Sequence, residues 1–222
     1  GALAATWETR AAGTQTLTFL FLDAAAVPRT SRVDLVSAPA AQNRFVIAGV
    51  DTQGKALLLW PQPGDSTHWA GQWVDREGAV VTPPFTFPAS FSSVPGLYPL
   101  AGGGLALRED GQWVARFASG SSVMEPAPAW LASHPGTSLH LIRGQRAHVL
   151  VPAPTRDASG CHVSLLFFTA DGTACGESLL PPGGACEAPG IGWDGTVVQQ
   201  VDLDAGNTSQ CSWRWWTGLL QP

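Results

Sequence analysis

Twenty-five glycines and 18 prolines are spread through the 222 residues so evenly that no apolar run reaches helix length before one of them interrupts it. Both residues break helices and mark turns. Between them lie short runs rich in aliphatic and aromatic residues, which read as strands. These are Leu17–Leu22, Phe45–Val50, Ala56–Trp60, Gln72–Asp75, Gly104–Leu107, Gln112–Phe117, Leu139–Ile142, Ala147–Val151, Val163–Thr169, Thr196–Val201 and Ser212–Trp216. Ala127–Ser133 has room for a single helical turn. The expected fold class is all-β.

The runs recur in order. A hairpin with an aromatic five residues before a turn glycine reads Trp73-Val-Asp75-Arg-Glu-Gly78, Phe167-Phe-Thr-Ala-Asp171-Gly172 and Trp213-Arg-Trp-Trp-Thr-Gly218. Weaker copies start at Phe19 and Ala115. The markers 19, 73, 115, 167 and 213 are separated by steps of 54, 42, 52 and 46. A Gly- or Arg-led apolar strand precedes most hairpins, as in Gly54–Trp60, Gly103–Leu107, Arg146–Val151 and Gly195–Val201. Another short strand precedes that, and Pro-rich links such as Thr82–Pro88, Glu125–Pro128 and Leu180–Pro189 follow. A unit of about 40–55 residues with three or four strands is the mark of a β-propeller blade. Small twisted sheets cannot cover both their faces, so neighbours stack.

The hairpin Phe168-Thr-Ala-Asp171-Gly-Thr173 after an apolar strand resembles the repeats of bacterial secreted propeller-type proteins. In architecture the chain is similar to the five-bladed tachylectin-type lectins. The resemblance spans nearly the whole chain. It implies one β-propeller domain over residues 1–222, with five blades of three to four antiparallel strands, and a lectin-like role. The first unit is expected to lack its innermost strand and the last to end soon after its turn, so closure would join the two ends in a composite blade or stay incomplete. A β-sandwich is the alternative architecture.

Charge narrows the function. Only 13% of residues are charged, the net charge is −5, and Lys55 is the only lysine. Without clustered cations, nucleic acid and anionic membrane surfaces are poor partners. No stretch is long and apolar enough for a transmembrane helix, so no membrane insertion is expected. The opening residues carry no basic and apolar leader, which is read as a leader already removed. Four cysteines (Cys161, Cys175, Cys186 and Cys211) lack zinc-finger spacing and fit disulfides in an oxidising compartment, with three pairings open. The expected location is secreted, periplasmic or cell surface.

In a propeller the loops between second and third strands share a face with the links between blades. Those loops hold Asp65, His68 and Trp69; Arg108, Glu109 and Asp110; Arg156 and Asp157; and Asp202, Asp204 and Asn207. The links add Trp130, His134, Trp193 and Asp194. Aromatic faces pack on the C–H face of a sugar ring while Asp, Asn or Arg bind hydroxyls. The candidate ligand-binding residues are therefore Asp65, His68, Trp69, Arg108, Trp130, Arg156, Asp157, Trp193 and Asp194. Trp213, Trp215 and Trp216 read instead as a core strand.

Catalytic signatures are missing. There is no HExxH, GxSxG or Walker loop. Asp51, Glu109 and Asp194 could face a central axis, but no spacing selects a glycosidase pair. The expectation is a non-enzymatic binding module for a glycan or protein ligand, with no catalytic residues, cofactor or metal. The alternatives are a structural or assembly subunit of a surface complex or filament, which includes a homo-oligomer, and a small glycoside hydrolase.

Overall fold

The computed structural model describes residues 2–11, 13–23, 25–39, 45–62, 64–142, 147–182, 186–192, 194–203 and 210–217. The protein is all-β, and its described residues form six antiparallel sheets. The first sheet holds β1 (Ala2–Ala11), β2 (Thr14–Leu22) and β3 (Val33–Pro39). The second holds β4 (Ile47–Val50), β5 (Ala56–Pro61), β6 (His68–Val74) and β7 (Phe85–Pro88). The third holds β8 (Gly96–Pro99), β9 (Leu105–Glu109), β10 (Gln112–Phe117) and β11 (Met124–Pro126). After a four-residue helix, α1 (Ala129–Ala132), the fourth sheet contains β12 (Ser138–Ile142), β13 (Ala147–Val151), β16 (Ser164–Thr169) and β17 (Ala174–Leu179). A small hairpin, β14 (Thr155–Asp157) with β15 (Gly160–His162), is inserted between β13 and β16. The fifth large sheet has β18 (Gly190–Ile191), β19 (Val197–Leu203) and β20 (Gln210–Trp216). Each large sheet is a simple meander, its strands adjacent in chain order apart from that insertion.

Aspartates make the turns. Asp23, Asp51 and Asp75 each use Oδ1 to accept backbone N–H groups two and four residues on, at 2.8–3.0 Å. This Asx geometry reverses the chain without a helix or a long loop. It closes β2 to β3, β4 to β5 and β6 to β7.

The chain divides into two compact units, one of Gly1–Pro99 with Gly103–Ala127 and the other of Leu100–Gly102 with Pro128–Pro222. In the first unit, the second sheet is covered on both faces. Ala56, Leu58, Trp60, Ala70 and Val74 pack with Leu17, Phe19 and Phe21 of the first sheet. Leu57, Leu59, Trp69, Trp73 and Phe87 pack with Leu105, Leu107, Ala115 and Phe117 of the third. Every residue from Ala56 to Trp60 is therefore at most 2% exposed. Strands buried on both faces read as continuous apolar runs, and each fully buried Leu contributes about 2 kcal/mol. In the second unit, Ile142, Val149, Val151, Val163 and Leu165 form a core with Val197, joined by half-buried Ile191 and Trp216.

Two expectations change. The Pro-rich stretches read as links include strands: Phe85–Pro88 pairs with β6, and Met124–Pro126 pairs with β10. Both are outermost strands, where proline's missing N–H is tolerated. The Trp213 strand is not core throughout. Trp216 packs inward, but Trp213 and Trp215 are 55% and 69% exposed. β20 is an edge strand, and its Trp213 face is left open to solvent.

Cys161, buried in β15, is joined to Cys186, with Cα atoms 5.3 Å apart. Cys175 is free and exposed. The side chain of Cys211 lies outside the described residues. Among the described residues no helix is long and apolar enough to cross a membrane.

Candidate functional site

In the first unit, three connections converge at one end of the second and third sheets. Ala89, opening the β7–β8 link, donates its N–H to the Thr67 carbonyl in the β5–β6 connection at 3.0 Å. Phe91 of the same link packs edge-on against Trp69, with ring centroids 4.8 Å apart. Further along the link, the Ser92 N–H and the Ser93 N–H both donate to Glu109 Oε1. The Ser92 hydroxyl reaches Glu109 Oε1 at 3.1 Å and Asp110 Oδ2 at 2.8 Å. One link thus ties both second-to-third-strand connections into a single polar rim.

Asp65 and His68 meet on this rim. Asp65 accepts the Thr67 N–H at 2.8 Å, the Thr67 hydroxyl at 2.6 Å and His68 Nδ1 at 2.8 Å. The Thr67 hydroxyl and backbone bonds hold the Asp65 carboxyl below the usual carboxylate range. Trp69, read as a loop residue, is a core residue: it lies in β6, 5% exposed, between Phe45 and Phe91. Strand alternation turns it inward directly after the outward-facing His68. Arg108 lies in β9 with its guanidinium 5.6 Å from the centroid of the Trp113 indole.

In the second unit the β14–β15 hairpin repeats the Asp–hydroxyl–His arrangement. Asp157 accepts the Ser159 N–H at 2.7 Å, the Ser159 hydroxyl at 2.6 Å and His162 Nε2 at 2.9 Å. The Ser159 hydroxyl is the main reason its carboxyl titrates far below the usual range. Arg156 is exposed in the same hairpin and donates from Nε to Cys186 Sγ at 3.3 Å. Asp194 accepts the Thr196 N–H at 3.0 Å, which lowers its pKa. Trp193 lies outside the described residues, as do Asp204 and Asn207.

Trp130, in α1, is half-buried and serves packing. Its ring lies 4.8 Å from His148 and 5.0 Å from Phe168, and its carbonyl accepts His134 Nδ1 at 2.7 Å. Only glycine fits at 172, because a Cβ there would overlap the indole. His148 is fully buried. Its Nε2 accepts the Ala101 N–H at 2.9 Å, and its Nδ1 donates to the Thr169 carbonyl at 3.1 Å. That pair of bonds requires the neutral ring with the proton on Nδ1. Burial lowers its pKa, with the Thr169 bond acting the other way; burial also lowers that of His140. A depressed histidine pKa destabilises the fold on protonation. Stability is whole above the unfolded value of about 6.5 and falls as pH drops below it. Denaturant midpoints should be flat from pH 8 to 7 and decline toward pH 5, with a smaller decline in His148→Gln.

Neither Asp–hydroxyl–His cluster has the geometry of a hydrolytic triad. A triad places nucleophile and carboxylate on different ring nitrogens. Here Ser159 Oγ and Asp157 Oδ1 both meet His162 Nε2, and Thr67 Oγ1 and Asp65 Oδ2 both meet His68 Nδ1. Each hydroxyl donates to its carboxylate and is not activated. Asp51, considered for a glycosidase pair, is buried and caps its turn, with Oδ2 3.4 Å from the Gly104 N–H. The carboxyls of Asp65, Asp110, Asp157, Asp171 and Asp194 are all displaced downward. A general acid needs the opposite direction.

Sequence reasoning missed the partners: Thr67, Ser92, Ser93, Tyr98, Trp113, Ser159 and His162. Part of the signal was present. Asp65-Ser-Thr67, Asp157-Ala-Ser159, Asp171-Gly-Thr173 and Asp194-Gly-Thr196 share an Asp-x-Ser/Thr spacing. In all four the aspartate accepts the N–H two residues on.

No family model matches the chain, and no curated protein matches it either.

Proposed function

We propose that the protein is a non-enzymatic binding module, secreted or at a cell surface, whose five large sheets form the blades of a propeller and whose loop face holds a glycan. Stacking of the first three sheets in chain order, each a meander of three or four strands, supports the propeller. The rim that the Ala89–Pro95 link ties together carries the functional reading. Its Asp65, Glu109 and Asp110 are ready acceptors for sugar hydroxyls, and its histidine–hydroxyl groups are not arranged for proton transfer.

The test is a glycan array followed by calorimetry on wild type and Asp110→Ala. At least tenfold weaker binding by the variant is expected. No binding to any sugar overturns the glycan reading. Exposed Trp213 and Trp215 favour assembly as a second reading, because large apolar side chains on an edge strand invite pairing. Light scattering on the same samples decides it: oligomers lost in Trp215→Ser support assembly, and a strict monomer at high concentration overturns it.

A further inference from the structure

Arg108 stands opposite Gly96 of β8 and Trp113 of β10. Gly96 brings no side chain to this position, so the guanidinium lies over the Trp113 indole. Tyr98 meets the same indole edge-on at 5.1 Å. Arg108 Nε is sealed from solvent without an acceptor. Among the described residues no carboxylate lies within ion-pair distance of Arg108, whereas Arg32, Arg76 and Arg116 each sit on a glutamate (Glu8, Glu77 and Glu125). The chain has 17 acidic residues and 12 basic ones. An unpaired, partly buried guanidinium is therefore not a shortage of partners. Desolvating it without an acceptor is unfavourable, and stacking on an indole offsets part of that.

We infer that Arg108 is the recognition cation for the carboxylate of an acidic sugar, a uronic or sialic acid residue, on the glycan-binding face proposed above. The inference rests on that reading. With Nε sealed and Cζ within cation–π distance of the Trp113 ring, the two Nη groups are the ones left to meet a ligand, and carboxylates match such a pair with two parallel hydrogen bonds. Two residues on, at the tip of the β9–β10 turn, Asp110 has a positive φ of 44°. Its carboxylate is stabilised by the Ser93 and Ser92 hydroxyls, which lower its pKa. Strand alternation puts Glu109 on the opposite face of β9 from Arg108, so the acceptor that follows the cation is Asp110 at the turn. An acidic sugar brings a carboxylate for Arg108 and a hydroxyl donor for Asp110. A neutral sugar leaves the guanidinium unmatched. An acidic peptide brings the charge without a ring of neighbouring hydroxyl donors.

The full chain is titrated calorimetrically with oligogalacturonate and its methyl ester, and with sialyllactose and lactose. Wild type is expected to bind at least one acid tenfold or more tightly than its neutral counterpart. Arg108→Gln should abolish that preference, bringing the affinity for the acid down to that for its neutral counterpart. Arg108→Lys, which retains the charge but not the fork, should keep a fraction of it, with thermal melts verifying that both variants fold. Equal binding of acid and neutral forms overturns the inference and leaves the glycan reading standing. An acid preference that survives Arg108→Gln, or polyglutamate bound as tightly as the acidic sugar, also overturns it. Failure to bind any sugar overturns both.

Discussion

Trp73→Ala should lower stability by about 4–5 kcal/mol, near the upper end for loss of a buried aromatic. Trp73 has no exposed surface and sits in the core between the second and third sheets. Its Nε1 donates to the Ser121 carbonyl at 2.8 Å, 48 residues away, at the turn between β10 and β11. Alanine would leave a cavity between the sheets and an orphaned carbonyl. Trp73→Phe separates these effects. It keeps most of the ring and loses the donor, at a cost of about 1–2 kcal/mol. Urea unfolding with a fixed m-value gives both numbers. A loss below about 1 kcal/mol for Trp73→Ala would mean that the two sheets do not stack through this residue.

The second large effect is expected at Gly104, where the chain enters β9. Its φ is +85°, and an added Cβ would collide with the Phe117 carbonyl while lying 3.0 Å from Ala118 Cα and 3.1 Å from Ser119 N. All three obstacles are backbone of a paired strand and its turn, so none can swing aside. Left-handed backbone costs a non-glycine residue about 1–2 kcal/mol, and overpacking adds about 1–3. Gly104→Ala should therefore lose about 3 kcal/mol, a fall in Tm of roughly 6–12 °C for a chain of this size. Gly102→Ala is the control. Nothing lies within 4 Å of a Cβ there and its φ is not positive, so its effect should stay within about 0.5 kcal/mol. Equal melting temperatures for the two variants would contradict the close approach of the Phe117 strand end to Gly104.

Each of the eleven runs expected as strands overlaps a strand, five of them running one or two residues past its end, because each is a stretch of β-prone side chains between turn residues. The missed strands had weaker local signals. β1 is rich in alanine, which has little strand preference, and it is extended because nine of its ten residues pair with β2. β17 is an exposed edge strand with no apolar face to betray it. β7 and β11 end in proline and looked like links.

The candidate site was legible to the same degree. The polar residues of the second-to-third-strand connections were visible as loop residues in a charge-poor chain. Three tryptophans are the reverse of the expectation: Trp69 is sealed between Phe45 and Phe91, while Trp213 and Trp215 are open. Period-two alternation says which residues share a face, but not whether another sheet covers that face.

The sequence by itself determined the all-β character and the positions of the turns. These follow from the local conformational preferences of Gly, Pro, Asp and the β-branched and aromatic residues. Only the tertiary structure decided which tryptophans are core, which cysteines join and that the Arg108 guanidinium lies over an indole. Trp73 depends on Ser121, 48 residues on, and Cys161 on Cys186, 25 residues on. The state of Arg108 depends on β8 and β10 on either side of it. Contacts of that kind are made by stacking and pairing of sheets, and no local preference encodes them.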